Sequence, residues 1–148
     1  MLRLAELGAD FFSAGKNVHT VWVVPCNTRL VHGAGLAKAA AQQWATFARW
    51  RPDTCFQEGS VHRAVLVDGG EVWAAFTKDY WRNGSQVACV ERIVAQLNAM
   101  AGEVIKGHRL LEIRLPKLGC GLGGLKWADV EPLYQRYLAD SDFDYIIY

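Results

Sequence analysis

The sequence predicts an α/β domain in which helices pack against a mixed central sheet. Two observations support this prediction. Short runs rich in valine, leucine and isoleucine alternate along the chain with longer stretches of helical periodicity. One pair of apolar runs is instead joined directly by Asp68-Gly69-Gly70, which is typical of an antiparallel hairpin. Strands connected through helices, together with one hairpin, make the sheet mixed.

Residues 18–77 are predicted to contain three strands and one helix. The stretch 18–27 is a near-continuous apolar run rich in valine, as expected of a strand buried on both faces. The stretch 36–50 is rich in alanine with apolar residues at helical spacing, so it is predicted as one helix that ends before Pro52. The hairpin strands are predicted over 61–67 and 71–77.

The other elements follow from the same two periodicities. The helix after the hairpin has apolar residues every three to four positions, and Asn83 or Ser85 is predicted to cap it. Asp129 and Glu131 are predicted in the first turn of the last helix, where their negative charges interact favourably with the helix dipole. The predicted spans are a strand from 2 to near Asp10, a helix over 87–100, a strand over 110–116, a helix over 127–140 and a strand over 143–148.

Composition restricts the class of protein. A chain of 148 residues fits a single domain spanning 1–148. The net charge of +1 gives no overall attraction for nucleic acid or membrane, although a local basic patch leaves nucleic acid open. No apolar run is long enough to span a bilayer, and the charges at Arg3 and Glu6 are not typical of a secretory signal.

The four cysteines are widely spread, with no CxxC pair and no zinc-like histidine spacing. Reduced thiols are therefore the favoured interpretation, with two disulfides left open. We accordingly expect a cytoplasmic monomer that holds neither a metal nor a cofactor and has no membrane partner.

Two glycine-rich loops follow strands and lead into helices. The first glycine loop (33–35) follows the 18–27 strand, and the second glycine loop (119–123) follows the 110–116 strand. Such loops expose main-chain N–H groups and the positive end of a helix dipole, which suits phosphate oxygens. One loop alone is weak evidence for phosphate binding, because strand-to-helix turns also use glycine for conformational reasons. Two such loops suit a diphosphate held between them, although neither matches a known nucleotide fingerprint.

Three blocks of sequence resemble the macrodomains, the family that binds ADP-ribose. Asn27 and, after five residues, GAGLA resemble N-x5-G-x-G-[IL]-A. The stretch 77–85 resembles TK-x-x-W-R-x-x-S, and 116–127 follows P-x-L-G-C-G-x-G-G-L-x-W. The resemblance covers roughly 18–132 and is strongest to the branch of antitoxin-type DNA ADP-ribosyl glycohydrolases. It implies a three-layer α/β/α macrodomain-like fold with a mixed central sheet.

The resemblance also implies roles for individual residues. Asp10 is expected to accept a hydrogen bond from the adenine amino group, and Asn27 to bind hydroxyls of the distal ribose. Lys78 matches the lysine that the branch uses in glycosidic cleavage, so Lys78 and Asn27 are the predicted catalytic residues. The same branch contains a human enzyme that removes ADP-ribose from glutamate, and in that enzyme an aspartate acts from the second loop. This chain has Gly123 at that position, as the antitoxin-type enzymes do. The remaining predicted ligand-binding residues are Gly33, Ala34, Gly35, Leu36, Thr77, Gly119, Cys120, Gly121, Leu122 and Gly123.

Each of these residues also has a purely structural interpretation. Lys78 can be a solvated surface lysine, Asn27 can end a strand or form an Asx turn, and Asp10 can cap a loop. Cys120 resembles a nucleophile but has no identifiable histidine partner, so it is predicted to pack. The cations Arg109, Arg114 and Lys117 are typical of solvated strand ends, with DNA as the alternative partner.

The resemblance predicts a hydrolase that releases ADP-ribose from a modified macromolecule, DNA or protein, with assistance from Lys78. Two alternatives stay open. One is an ADP-ribose-1″-phosphate phosphatase. The other is a reader that binds ADP-ribose or ADP-ribosylated partners without turnover, because Gly123 removes the carboxylate able to serve as a base in that loop.

Overall fold

The computed structural model describes residues 1–53, 56–79, 84–107 and 110–148. Within these residues, six strands form one sheet in the order β1-β6-β5-β2-β4-β3. The β3–β4 pair is antiparallel and the other pairs are parallel, so the predicted mixed sheet is confirmed. The strands are β1 (Leu2–Leu4), β2 (His19–Asn27), β3 (Val61–Val67), β4 (Gly70–Lys78), β5 (Leu111–Leu115) and β6 (Asp144–Ile147).

Helices cover both faces of the sheet, which confirms the three layers. Alternate residues of β2 face opposite sides, so Val23 belongs to one buried cluster and Val24 to the other. The first cluster includes the apolar stripes of α3 and α4, and the second includes Ala40 of α1 and Phe47 of α2. The helices are α1 (Gly35–Gln43), α2 (Ala45–Arg49), α3 (Val87–Ile105) and α4 (Trp127–Leu138). No helix in the described ranges is long and apolar enough to cross a membrane.

The predicted single helix over 36–50 is wrong at Trp44, which separates α1 from α2. Trp44 has an extended backbone, with φ −130° and ψ 106°. Its indole packs 5.1 Å from the ring of Trp22 and 5.4 Å from that of Phe12, measured between centroids. Helical propensity could not reveal these two long-range contacts, and the chain breaks the helix where they form.

Two further expectations are corrected near the chain start and at α3. The first strand ends at Leu4 rather than near Asp10, because its partner β6 ends at Ile147, which is paired with Leu4. Helix α3 has Gln86 at its N-cap position without a side-chain cap, so Ser85 does not cap it. Asn83, the other predicted cap, lies outside the described residues.

Arg114 ties the N-terminal segment to β5. Its side chain is 6% exposed, and its guanidinium donates to the carbonyl oxygens of Asp10 and Phe11 at 3.1 and 2.9 Å. Glu112 neutralises it at 3.2 Å, and the rings of Trp22 and Tyr148 lie against it. Arg114 is therefore a buried structural cation and not a solvated strand-end charge, while Arg109 lies outside the described residues.

Candidate functional site

A cleft of about 420 Å³ opens at the carboxyl edge of the sheet, between β2 and β5. In the sheet, β4 and β3 lie on one side of β2, whereas β5, β6 and β1 lie on the other, so the strand order reverses direction at β2. Ligands bind in α/β sheets at such points of reversal. The β5 ladder follows β2 only from His19 to Trp22, so the ladder ends well before the carboxyl end of β2. The cleft is lined by Pro25, Cys26, Asn27, Val31, Ala34, Gly35, Leu36, Ala37, Thr77, Lys78, Ser85, Pro116, Lys117, Gly119, Gly121, Leu122 and Gly123.

The second glycine loop is held at its base by Tyr134 of α4. The buried Tyr134 hydroxyl donates to the carbonyl oxygen of Pro116 at 2.6 Å and accepts from the N–H of Leu118 at 2.9 Å. Within the described residues, the main-chain N–H groups of Gly121, Leu122 and Gly123 donate to no protein acceptor. A fixed loop with unused donors beside a cleft is suited to binding anionic oxygens.

The glycines of the second loop are there for different physical reasons. A Cβ at position 123 would lie 2.5 Å from the carbonyl oxygen of Gly119 and 2.5 Å from Ser85 Oγ, so no side chain fits there. At Gly121 a Cβ would meet nothing within 4 Å, although the residue lines the cleft. Gly123 is therefore required by packing, whereas Gly121 leaves open space in the cleft.

The first glycine loop is braced by Asn27 at the end of β2. The Asn27 side chain donates to the carbonyl oxygen of Val31 at 2.8 Å and accepts from its N–H at 3.1 Å. Asn27 ends β2, as one of its structural interpretations predicted, but its side chain bonds a residue four positions on and therefore does not form an Asx turn. Asn27 also lines the cleft. One amide hydrogen and one carbonyl lone pair of Asn27 remain available for a ligand.

Helix α1 begins at the first glycine loop without a cap. Its N-cap residue is Ala34, which has no side-chain acceptor, and its first turn contains no acidic residue. The first-turn N–H groups are therefore unsatisfied by the chain. Gly35 has φ +62°, and a Cβ on it would lie 3.3 Å from Leu122 Cδ1. The two glycine loops thus meet across the cleft, as their position after neighbouring strands predicted.

Lys78 ends β4 directly beside Asn27. The β2–β4 ladder pairs Cys26 with Phe76 and then Asn27 with Lys78, so Thr77 is an extra residue in β4. Irregularities of this kind re-aim side chains near functional sites. Lys78 is half-buried, and the described residues offer its ammonium no hydrogen bond or ion pair. The next residue, Asp79, binds Thr28 and Arg29 and does not line the cleft.

Three of the predicted site residues do not line the cleft. The carboxylate of Asp10 accepts from the N–H of Phe12 at 3.0 Å, which is an Asx turn, and its role at an adenine stays a prediction. Gly33 directly precedes Ala34 in the first glycine loop and is exposed to solvent. The Cys120 side chain packs against the core under α3 and α4, and burial raises the pKa of its thiol. All the other predicted residues line the cleft.

Several lining residues were not predicted as site residues. Ser85 is part of the TK-x-x-W-R-x-x-S block, so a signal existed but no role was attached to it. Lys117 lines the cleft, with its ammonium 5.3 Å from the centroid of the Trp127 ring. Trp127 itself packs edge-on against Tyr134. Pro25 and Cys26 carried no signal, because buried strand residues resemble one another in sequence.

The cysteines give no sign of redox or metal chemistry in the part of the chain that the structure describes. Cys26, Cys89 and Cys120 are free thiols, and Cys26 and Cys89 are core residues. Burial raises the pKa of each of these thiols. Cys55 lies outside the described residues. Among the described side chains, no group of three His, Cys, Asp or Glu is placed to hold a metal ion.

This arrangement matches the macrodomain fold: three layers, with two glycine loops at one cleft on the carboxyl edge of the sheet. The macrodomain of Thermus aquaticus DarG superposes with a TM-score of 0.76 at 26% identity, over 100% of this chain and 97% of its own. DarTG of Thermosipho africanus, solved in complex with ADP-ribose, gives a TM-score of 0.71 at 28% identity, over 95% of this chain and 39% of its own. The macrodomain resemblance is thereby confirmed.

One curated relative matches the chain in sequence. It is a DNA ADP-ribosyl transferase–DNA ADP-ribosyl glycohydrolase fusion protein of Thermosipho africanus, 29% identical over 167 aligned positions. The match covers 98% of this chain but 41% of the relative, so the chain spans about two fifths of the relative's length. No family model matches the chain.

Proposed function

We propose that this chain binds ADP-ribose in the cleft and acts as a hydrolase that removes ADP-ribose from a modified macromolecule, DNA or protein. One observation carries the proposal: unused main-chain N–H donors from two glycine loops line a single cleft. The similarity to DarG, and to DarTG in complex with ADP-ribose, supports the same ligand.

The diphosphate is the part of ADP-ribose best suited to the two loops. Its oxygens would accept from the N–H groups of the second loop and from the uncapped start of α1. The distal ribose would then lie toward Asn27, Thr77 and Lys78, where the remaining donor and acceptor of Asn27 suit sugar hydroxyls.

Lys78 is the proposed catalytic residue. Hydrolysis breaks the bond between C1″ and the nitrogen or oxygen of the modified group, and water supplies the new oxygen on C1″. The transition state resembles an oxocarbenium ion, and the leaving atom gains a proton. A lysine ammonium beside the leaving group can stabilise its charge or deliver that proton. Alternatively, the amine can attack C1″ of the ring-opened sugar and displace the modified group, which leaves with a proton. Water then hydrolyses the resulting imine to ADP-ribose and the free amine.

A reader without turnover is the second candidate, and one observation favours it. None of the residues that line the cleft in the described ranges is an aspartate or glutamate. The site therefore offers no carboxylate to activate a water molecule, so water activation must come from another group or from the substrate.

Turnover assays separate these functions. The protein is incubated with ADP-ribosylated DNA, an ADP-ribosylated glutamate peptide and ADP-ribose-1″-phosphate, and the products are analysed. Release of ADP-ribose from DNA or peptide is the expected result. Phosphate release alone would assign a phosphatase, whereas ADP-ribose binding without any product would assign a reader. Failure to bind or process any of them would contradict the proposal.

A further inference from the structure

Ser85 has a hydroxyl that the protein itself does not use. The residue lines the cleft and is 9% exposed, and its Oγ is buried without a hydrogen-bond partner among the described residues. Two other hydroxyls among the described residues, those of Thr77 and Ser141, do have partners. Thr77 Oγ1, in the same cleft, lies 3.5 Å from the carbonyl oxygen of Cys26, and Ser141 Oγ donates to Asn98 Oδ1 at 2.7 Å. A buried polar group without a partner is rare and calls for a cause.

Ser85 is positioned by its main chain and not by its hydroxyl. Its N–H donates to the carbonyl oxygen of Gly123 at 2.9 Å, which fixes the residue against the second glycine loop. Its Oγ occupies the space that a side chain at Gly123 would need. It also does not cap α3, whose N-cap is Gln86. Rotation about χ1 therefore breaks no hydrogen bond and can turn the hydroxyl toward the cleft.

We propose that Ser85 is a ligand-binding residue whose hydroxyl donates a hydrogen bond to an oxygen of the sugar–diphosphate ligand at the second glycine loop. The inference rests on the proposed function, which supplies a ligand rich in acceptor oxygens. A donor left unpaired in the free protein gains its partner only in the complex, so its hydrogen bond favours binding without stabilising the free fold. Ser85 thereby extends the set of unused donors from the main chain of the loop to a side chain.

The test combines affinity with stability in Ser85→Ala. Calorimetric titration with ADP-ribose is expected to give a Kd about fivefold to tenfold weaker than that of the wild type, the size of one neutral hydrogen bond. Thermal unfolding without ligand is expected to give an unchanged or higher Tm, because the variant removes an unsatisfied buried hydroxyl and keeps the N–H bond to Gly123. Ser141→Ala is the matched control. It loses a satisfied hydroxyl outside the cleft, so its Tm should fall while its Kd stays unchanged.

The outcomes separate this inference from the function on which it rests. Tight wild-type binding with an equal Kd for Ser85→Ala would overturn the assignment of Ser85 and leave the proposed function standing. A lower Tm for ligand-free Ser85→Ala would also overturn it, because the hydroxyl would then serve the fold. No binding of ADP-ribose by the wild type would overturn the proposed function and the role of Ser85 together.

Discussion

Lys78 is the cation on which the proposed chemistry depends. It ends β4 opposite Asn27, and its ammonium has no partner in the described part of the chain. We expect Lys78→Ala to lower turnover at least 100-fold, the scale of a lost general acid, on whichever macromolecular substrate the wild type processes. Its Kd for ADP-ribose should stay within about threefold of the wild-type value, because the main-chain donors remain.

Lys38 provides the control for that variant. It lies on α1, is exposed and does not line the cleft, so Lys38→Ala should retain wild-type turnover. Unchanged turnover in Lys78→Ala would remove this lysine from the mechanism.

At the scale of single residues, the sequence identified Asn27 and Lys78 as candidate site residues. Each stands in a block that resembles a macrodomain motif and lies at the end of an apolar strand. It did not identify Ser85, although Ser85 closes one of those blocks. A serine next to a predicted helix is most often a cap, and only the three-dimensional packing against Gly123 shows that its hydroxyl is unpaired. The packing requirement at Gly123 was likewise invisible in sequence, because it arises from an atom of Ser85 and one of Gly119.

The N-terminal segment is the element whose position depends most on one side chain. Arg114 holds the carbonyl oxygens of Asp10 and Phe11 while buried between two aromatic rings. Arg114→Met should lower the free energy of unfolding by about 3 kcal/mol, because it leaves Glu112 and two carbonyls without their buried partner. Denaturant titration measures this change.

Arg136→Met is the matched control for Arg114→Met. Its side chain is 69% exposed and pairs with Glu91 at 3.5 Å, so its loss should cost less than about 0.5 kcal/mol. A cost for Arg114→Met as small as that of the control would show that the segment is held by other contacts.

The elements themselves could be predicted where the local pattern agrees with the packing. The valine run of β2 and the hairpin were predicted close to their observed bounds, and α3 was predicted from its observed start, although it continues beyond residue 100 to Ile105. The local pattern gave the wrong prediction at Trp44, where a contact with a residue distant in sequence determines the backbone conformation. It was also wrong after Leu4, where β1 has no further strand residue to pair with. Such failures follow because local sequence records propensity, not long-range packing.

The whole molecule carries a buried carboxylate at the end of the sheet opposite the cleft. The Glu71 side chain is 2% exposed, and Arg63, Trp73 and His19 form hydrogen bonds with it. Burial alone would raise its pKa, but these hydrogen bonds and the charge of Arg63 together hold the pKa below the ordinary value of 4.5.

This pKa shift predicts a dependence of stability on pH. As the pH falls below about 4.5, the unfolded chain takes up a proton at Glu71 before the folded chain does, so the free energy of unfolding falls. Glu71→Gln should be less stable than the wild type near neutral pH and should lose less stability between pH 5 and pH 3. Denaturant titrations across that range measure both slopes.

Glu103→Gln is the control for this pH effect. Glu103 is 71% exposed beside Lys106, so its variant should keep the wild-type slope. Equal slopes for Glu71→Gln and the wild type would mean that the Glu71 carboxylate does not contribute to acid sensitivity.

At the same scale, the position of the cleft was predictable from the order of elements. Two glycine loops after two strands were expected to meet at one sheet edge, and Gly35 and Leu122 do meet there. What the sequence could not supply is which loop glycines are open and which are packed. Gly121 is open, whereas Gly35 has a positive φ, so a side chain at Gly35 would strain the backbone as well as block the cleft.

The central claim is that bare main chain from both loops seats the diphosphate of ADP-ribose, and calorimetric titration of the wild type and Gly121→Val with ADP-ribose tests it most directly. A Cβ at Gly121 meets no atom within 4 Å, so the variant should fold with a Tm within about 2 °C of wild type. Gly102→Val, at an equally open position in α3, is the control and should bind normally. We predict saturable binding by the wild type and none by Gly121→Val; equal affinity for both would contradict the claim.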